Sequence, residues 1–419
     1  MQFSKTSQEY FGVFVDKFNK CLVKKTPVEQ KKQNIISERL FSEIKRADKY
    51  IKTKHETHNC LSGFSTKIET VKQLKLPSTY SNDYFPQPIR KYIELNAINQ
   101  IVYSCEINYR KISLTFFTFK NETDFSIYDQ YAKKGFMLIY ILSNYSSNDC
   151  SKTLNIYIYL TDFERKLPDN NYSVLEPYNA NGGFTTTCDK NSEIVVYRKE
   201  EWFKVLIHET FHNLGLDFST MNVREFNSKI KKIFPIDSKF NLYESYCEFW
   251  ARILNAAFCS YNVINNENDK NTFVQCLDFF IQIERLFSLF QCNKILKFLG
   301  LCYKSLYEND KASTIARENL YKEKTNVFAY YIATSFLLDN YINVIIWCNN
   351  NNKSLFKFDR TQFTLNSFYE LIETSYDRDD FLKNLLCVSN VTNKLKKNKK
   401  ITTLTSLLNT TRMTVMEFE

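Results

Sequence analysis

The spacing of apolar residues divides the chain into three regions. Over 28–54, Ile35, Ile36, Leu40, Phe41 and Ile44 recur as one face of a helix among Lys, Glu and Gln. Residues 1–95 therefore read as a polar, helical N-terminal region, interrupted at Gly63, Pro77, Pro86 and Pro88. Near residue 97 the period changes. The stretches 101–109 and 112–119 are rich in β-branched and aromatic residues and predict two strands; 124–142 predicts a helix and 153–160 a third strand. A loop with Pro168 and Pro177 leads to a strand around 181–188, another over 193–197 and, directly after it, an apolar helix ending at Gly215. The order is strand, strand, helix, strand, strand, strand, helix, which makes residues 96–265 a compact α+β unit. Beyond Gly215 the pattern is helical, over 226–234, 242–258, 270–290, 293–305, 325–349, 365–375, 378–390 and 401–410. Residues 266–419 form an α-helical C-terminal domain in this reading.

Composition narrows the class. Hydrophobic residues at 44% and aromatic residues at 16% belong to a folded chain and exclude a disordered one. The abundance of Lys, Asn, Ile, Phe and Tyr reads as the codon bias of an AT-rich genome. The net charge of +10 is spread along the sequence. Its densest run, Lys394-Leu-Lys-Lys-Asn-Lys-Lys400, reads as a solvated surface, so no nucleic-acid partner is expected. The longest apolar run, 327–338, is too short to cross a bilayer, and no membrane partner is expected. Twelve cysteines are scattered without a C-x-x-C pair, and the first ten residues lack the apolar core of a signal peptide. Free thiols in a reducing, cytoplasmic setting follow, with virion association as a further option.

The helix before Gly215 carries the chemistry. It contains His208-Glu209-Thr210-Phe211-His212, the H-E-x-x-H pattern. Positions i and i+4 share a helix face, so both imidazoles can reach one metal ion, with Glu209 placed to take a proton from a metal-bound water. The competing reading is a buried helix whose two histidines are merely hydrogen-bonded. His55-Glu-Thr-His58 also suits a helix face, but its polar neighbours make it an exposed segment. Gly182-Gly183, just before the last strand pair, are either a simple turn or part of an edge strand able to pair with an extended peptide; their place in the chain favours the second.

A zinc peptidase needs a third protein ligand and an open position. Gly215 continues the longer H-E-x-x-H-x-x-G-x-x-H pattern, but its last position is Phe218, and Asp217 is one residue out of register. No histidine follows His212, so the third ligand must be a carboxylate or a cysteine. Glu244 and Glu248 lie on an otherwise apolar helix at i, i+4, and spacing allows either; the competing reading makes both surface residues paired with nearby cations.

With these residues in place, the chain resembles the gluzincins, the thermolysin-like class with H-E-x-x-H and a downstream helical Glu. The matching residues are His208, Glu209, His212 and Glu244, and Glu244-Ser245 with Trp250 resembles the Glu-Ser-x-x-x-x-Trp element of some carboxypeptidase-type members. The resemblance covers roughly residues 97–260. It implies a zincin-like mixed sheet with an active-site helix, one Zn²⁺ on His208, His212 and Glu244, and Glu248 steadying a ligand histidine. Glu209 becomes the general base, and Gly182, Gly183 and Phe184 lie on a substrate-binding edge strand. The implied activity is zinc-dependent hydrolysis of a peptide or protein substrate; the alternative is a catalytically inactive zincin-fold structural or virion protein. The family's transition-state histidine has no counterpart here, and Tyr330, Tyr331 or Arg252 is expected in its place. Proteins of this appearance are encoded by large DNA viruses with AT-rich genomes.

Overall fold

The computed structural model describes residues 2–57, 65–70, 76–264, 266–397 and 403–419. Its elements in chain order are α1 (Lys5–Lys17), α2 (Pro27–Thr57), β1 (Ser65–Thr70), α3 (Gln87–Asn96), β2 (Asn99–Ile107), β3 (Arg110–Thr118), α4 (Ser126–Ser143), β4 (Thr153–Tyr159), the single turn α5 (Pro177–Ala180), β5 (Gly183–Thr185), β6 (Asn191–Val196) and α6 (Trp202–Asn213). Helices follow: α7 (Arg224–Ile233), α8 (Leu242–Val263), α9 (Lys270–Phe298), α10 (Lys311–Leu320), a π-helical segment Phe328–Ala333, α11 (Thr334–Asp339), α12 (Tyr341–Asn351), α13 (Gln362–Glu373), α14 (Asp379–Lys397) and α15 (Thr403–Asn409). The class is α+β, as the periodicity predicts.

Among the described residues six strands form one mixed sheet, in the order β1-β2-β3-β4-β6-β5. The β3–β4 and β4–β6 pairs are parallel, while β1–β2, β2–β3 and β5–β6 are antiparallel. Alternation along the strands separates two faces. Leu154, Ile156 and Ile158 of β4, with Ile194 and Val196 of β6, join the main core. Tyr157, Tyr159, Val195 and Tyr197 point the other way, into a smaller aromatic cluster with Phe85, Ile89 and Ile93 beneath α3. Phe184 joins that cluster too.

Several predicted boundaries move. β1 was not foreseen: its one apolar residue, Ile68, is exposed, so an edge strand of this kind has no alternating signal. The segments 270–290 and 293–305 merge into α9, which runs unbroken to Phe298 and stops at Gly300 with φ +76°. The expected helix over 325–349 divides into the π segment, α11 and α12, with Asn340 between the last two.

The three sequence regions share one apolar cluster, which runs from Tyr10 through the strands and α6 to Phe418. The last residues are part of it. Met413, Val415 and Met416 are buried, Glu201 accepts the Met413 N–H at 2.9 Å, and Glu284 accepts those of Val415 at 2.9 Å and Met416 at 3.3 Å. Phe418 forms an antiparallel bridge with Phe3.

Cysteine usage differs from the expectation of free thiols throughout. Cys21 and Cys387 form one disulfide, and Cys150 and Cys188 another. Partners 366 and 38 residues apart come together only in the tertiary structure, so spacing could not show them. Cys105, Cys247, Cys259, Cys276, Cys292, Cys302 and Cys348 are free thiols. Among the described residues no helix is long and apolar enough to cross a membrane.

Candidate metal centre

Helix α6 is buried along its whole length, between β5 and β6 on one side and α8 on another. Glu201 starts it in the left-handed region (φ +57°), and its C=O accepts the Val205 N–H at 2.9 Å. At the other end Leu216 N–H reaches back to Phe211 O at 2.9 Å around Gly215, whose φ is +61°. This is a Schellman-type stop, and it fulfils the predicted terminator. Asn213 fastens the same end to the β5 hairpin through Thr185 Oγ1 at 3.0 Å.

The spacing then does what helical geometry requires. His208 Nε2 and His212 Nε2 are 3.2 Å apart. Glu244, in the first turn of α8, places Oε2 at 3.0 Å from the first and 3.3 Å from the second. The far ring nitrogens also face acids. His212 Nδ1 lies 2.6 Å from Asp217 Oδ2. His208 Nδ1 is 3.2 Å from Glu248 Oε2, an approach whose geometry falls short of an aligned hydrogen bond. A proton held on each Nδ1 leaves both Nε2 lone pairs directed at one another and at a carboxylate, an arrangement that calls for positive charge at its centre.

The titration behaviour points the same way. Burial opposes a charged His212, yet Cys247, Glu244 and Asp217 outweigh it and raise its pKa well above 6.5. Burial also opposes the Glu244 carboxylate, but the two histidines hold its pKa far below the usual 4.5. Glu209 is different: burial dominates and raises its pKa above that value.

These atoms open onto a cleft of about 250 Å³ whose lining includes Gly183, Phe184, Thr185, Glu209, Tyr243 and Tyr330. Glycine is needed at its wall. A Cβ on Gly183 would stand 2.7 Å from Val195 O and 2.8 Å from Val205 Cγ1, and one on Gly182 would stand 2.9 Å from Val205 Cγ2. The pair lets the strand lie against α6, and among the described residues β5 is the last strand of the sheet, so its position is that of an edge strand and not of a simple turn. Phe184 contributes to the cleft lining although its ring packs below the sheet.

Tyr330 and Tyr331 separate. Tyr330 OH donates to Glu244 Oε2 at 3.2 Å and faces the cleft. Its pKa is pushed well above 10 by burial and Glu244, so it remains a proton donor. Tyr331 OH donates to Thr411 O at 2.7 Å, outside the cleft. The expectation that either could serve is corrected, because consecutive residues of a helix point in different directions. Arg252 is withdrawn as well: its Nε is 2.8 Å from Glu248 Oε1 in a fully buried pair. Glu248 also holds Lys204 Nζ at 2.6 Å. Neither acid of α8 is a surface residue.

Sequence spacing does not mark Asp217 as a partner of His212, because one position before Phe218 it is only out of register for direct ligation. Cys247 was missed too, with Sγ 3.6 Å from both His212 Nδ1 and Asp217 Oδ2. The only signal for it was its position one turn beyond Tyr243 and Glu244. The His55–His58 motif lies outside the residues whose side chains are described.

One curated relative is "Uncharacterized protein R210" of Acanthamoeba polyphaga mimivirus, 26% identical over 259 residues. The match takes in 58% of this chain and 62% of the relative, so the chain spans less than two thirds of that protein's length. No protein-family model and no solved structure matches the chain.

Proposed function

We propose that the chain is a zinc-dependent metallopeptidase of gluzincin type, with His208, His212 and Glu244 as the metal ligands. One observation carries this reading: the three ligand atoms stand 3.0, 3.2 and 3.3 Å apart. A tetrahedron with bonds of about 2.0–2.1 Å to its centre has edges of about 3.3–3.4 Å. Two neutral imidazoles and one carboxylate would also be a donor set suited to zinc, and all three side chains line the cleft.

Zinc held there supplies Lewis acidity, which acidifies water and polarises a carbonyl. The chain's own residues do the rest. Glu209, with its pKa raised by burial, accepts the proton of the attacking water and passes it to the leaving amine. Tyr330 OH, which lines the same cleft, would release Glu244 and donate to the oxyanion in place of the family's histidine. β5 offers its free edge to an extended substrate, since its partner on the other side is β6.

Hydrolysis of a peptide library by zinc-loaded protein tests the proposal. Glu209→Gln should retain zinc and lose turnover. Zinc binding without hydrolysis by the native chain would favour a non-catalytic zincin-type protein. Failure to bind zinc stoichiometrically would remove the site.

A further inference from the structure

A second cavity lies far along the chain from the histidines. It is about 370 Å³ in volume, between α9 and α14 at the base of α15. Three lysines line it, Lys294 and Lys297 from α9 and Lys396 from α14, and none of its described lining residues is acidic. Amide and hydroxyl groups complete the polar part, with Asn293 and Thr392 among them. Phe298, Phe290 and Leu408 supply an apolar wall.

Surface lysines are ordinarily scattered or paired with acids. These are not. Lys294 is buried, and its Nζ donates to Leu407 O at 3.0 Å and to Thr410 O, at the end of α15. Lys297 Nζ meets the neutral Asn393 Oδ1 at 3.0 Å. Burial and Lys396 hold the Lys294 pKa well below 10.5, with Glu200 opposing from outside the lining; burial and Lys297 lower that of Lys396. Like charges drawn to one cavity repel, and an anion between them would relieve that repulsion. The volume is in the range of small-molecule sites.

We infer that this cavity binds a phosphorylated organic small molecule, its phosphates between Lys294, Lys297 and Lys396 and its apolar part against Phe298 and Leu408. Lysine serves phosphate as a strong point charge, while Asn393, whose Oδ1 accepts from Lys297, offers its amide N–H groups to the oxygens.

Calorimetric titration of the full chain with adenosine diphosphate, and separately with inorganic pyrophosphate, tests this. One equivalent of the nucleotide should bind, more tightly than pyrophosphate. Lys297 and Lys396 are exposed, so the double variant K297Q/K396Q should fold normally and bind the nucleotide at least about tenfold more weakly. Lys294 is left in place because it caps α15. No binding at millimolar concentration, or undiminished binding by the double variant, would overturn the inference. So would a short single-stranded oligonucleotide that competes through the same two lysines with higher affinity, which would make the cavity part of a nucleic-acid groove.

Discussion

His212 Nδ1 and Asp217 Oδ2 meet at 2.6 Å across the turn made by Gly215. The same carboxylate accepts Ser219 N–H through its other oxygen, also at 2.6 Å. The turn that ends α6 thus delivers the group that fixes the imidazole proton on Nδ1. Asp217→Ala should reduce zinc affinity by about 10–100-fold, the usual cost of losing such a support. Asp217→Asn, which still offers an acceptor, should lose less. Competition with a chromophoric chelator measures both, and unchanged affinity would leave Asp217 as a turn residue only.

The two acids of α8 should behave differently. Glu244→Ala removes the proposed third ligand and should abolish most zinc binding while sparing the fold. Glu248 sits between Lys204 and Arg252, with His208 as a third neighbour. Removing it strands two buried cations, so Glu248→Ala should cost about 3–5 kcal/mol of stability. Denaturant unfolding of zinc-free protein reads this directly; equal stability of the two variants would contradict the assignment.

Gly183→Ala tests the contact between β5 and α6. The added methyl group would meet Val195 O and Val205 Cγ1, and would come within 3.2 Å of Glu209 Cγ. Relief requires the strand to move away from the helix. A loss of about 1–3 kcal/mol is expected, together with a lower kcat because Glu209 is displaced. Native turnover would show that the wall yields elsewhere.

Lys134 of α4 gives a pH-dependent prediction away from the histidine cluster. Its Nζ lies 3.9 Å from the centre of the Phe203 ring, and burial lowers its pKa to about 8 from the ordinary 10.5. The unfolded chain holds this proton up to 10.5, whereas the folded chain releases it near 8. Between those values the unfolded state binds more protons, so stability from this group rises with pH, and the full cost of about 3 kcal/mol applies below 8. Lys134→Met should be more stable at neutral pH and lose that slope. Thermal unfolding from pH 7 to 10.5 checks it.

The fold order was legible because β2, β3, β4 and β6 are short apolar runs and α6 and α8 are long ones. The cluster of His208, His212 and Glu244 was legible because its two histidines fall one turn apart on one helix. What escaped depended on contacts between distant residues. Nothing local distinguishes Tyr330 from Tyr331 until the pitch of their helix is known. The neighbours of Glu248 come from α6 and from its own helix, and the disulfide partners lie 366 and 38 residues apart in the sequence. β1 was hidden because an exposed edge has no apolar face to repeat.

The π-helical segment Phe328–Ala333 carries both tyrosines, and Thr334 Oγ1 donates to the Ala329 carbonyl at 2.7 Å. A π turn holds one residue more than an α turn, so it rotates everything before it relative to everything after it. Drift at this helix therefore has two unequal routes. Point substitutions can retune the rim of the cleft one atom at a time. A single in-frame codon deletion would let the helix relax to the α form and turn the Tyr330 hydroxyl from the cleft by about a quarter of a circle, removing the donor while His208, Glu209, His212 and Glu244 stay as they are.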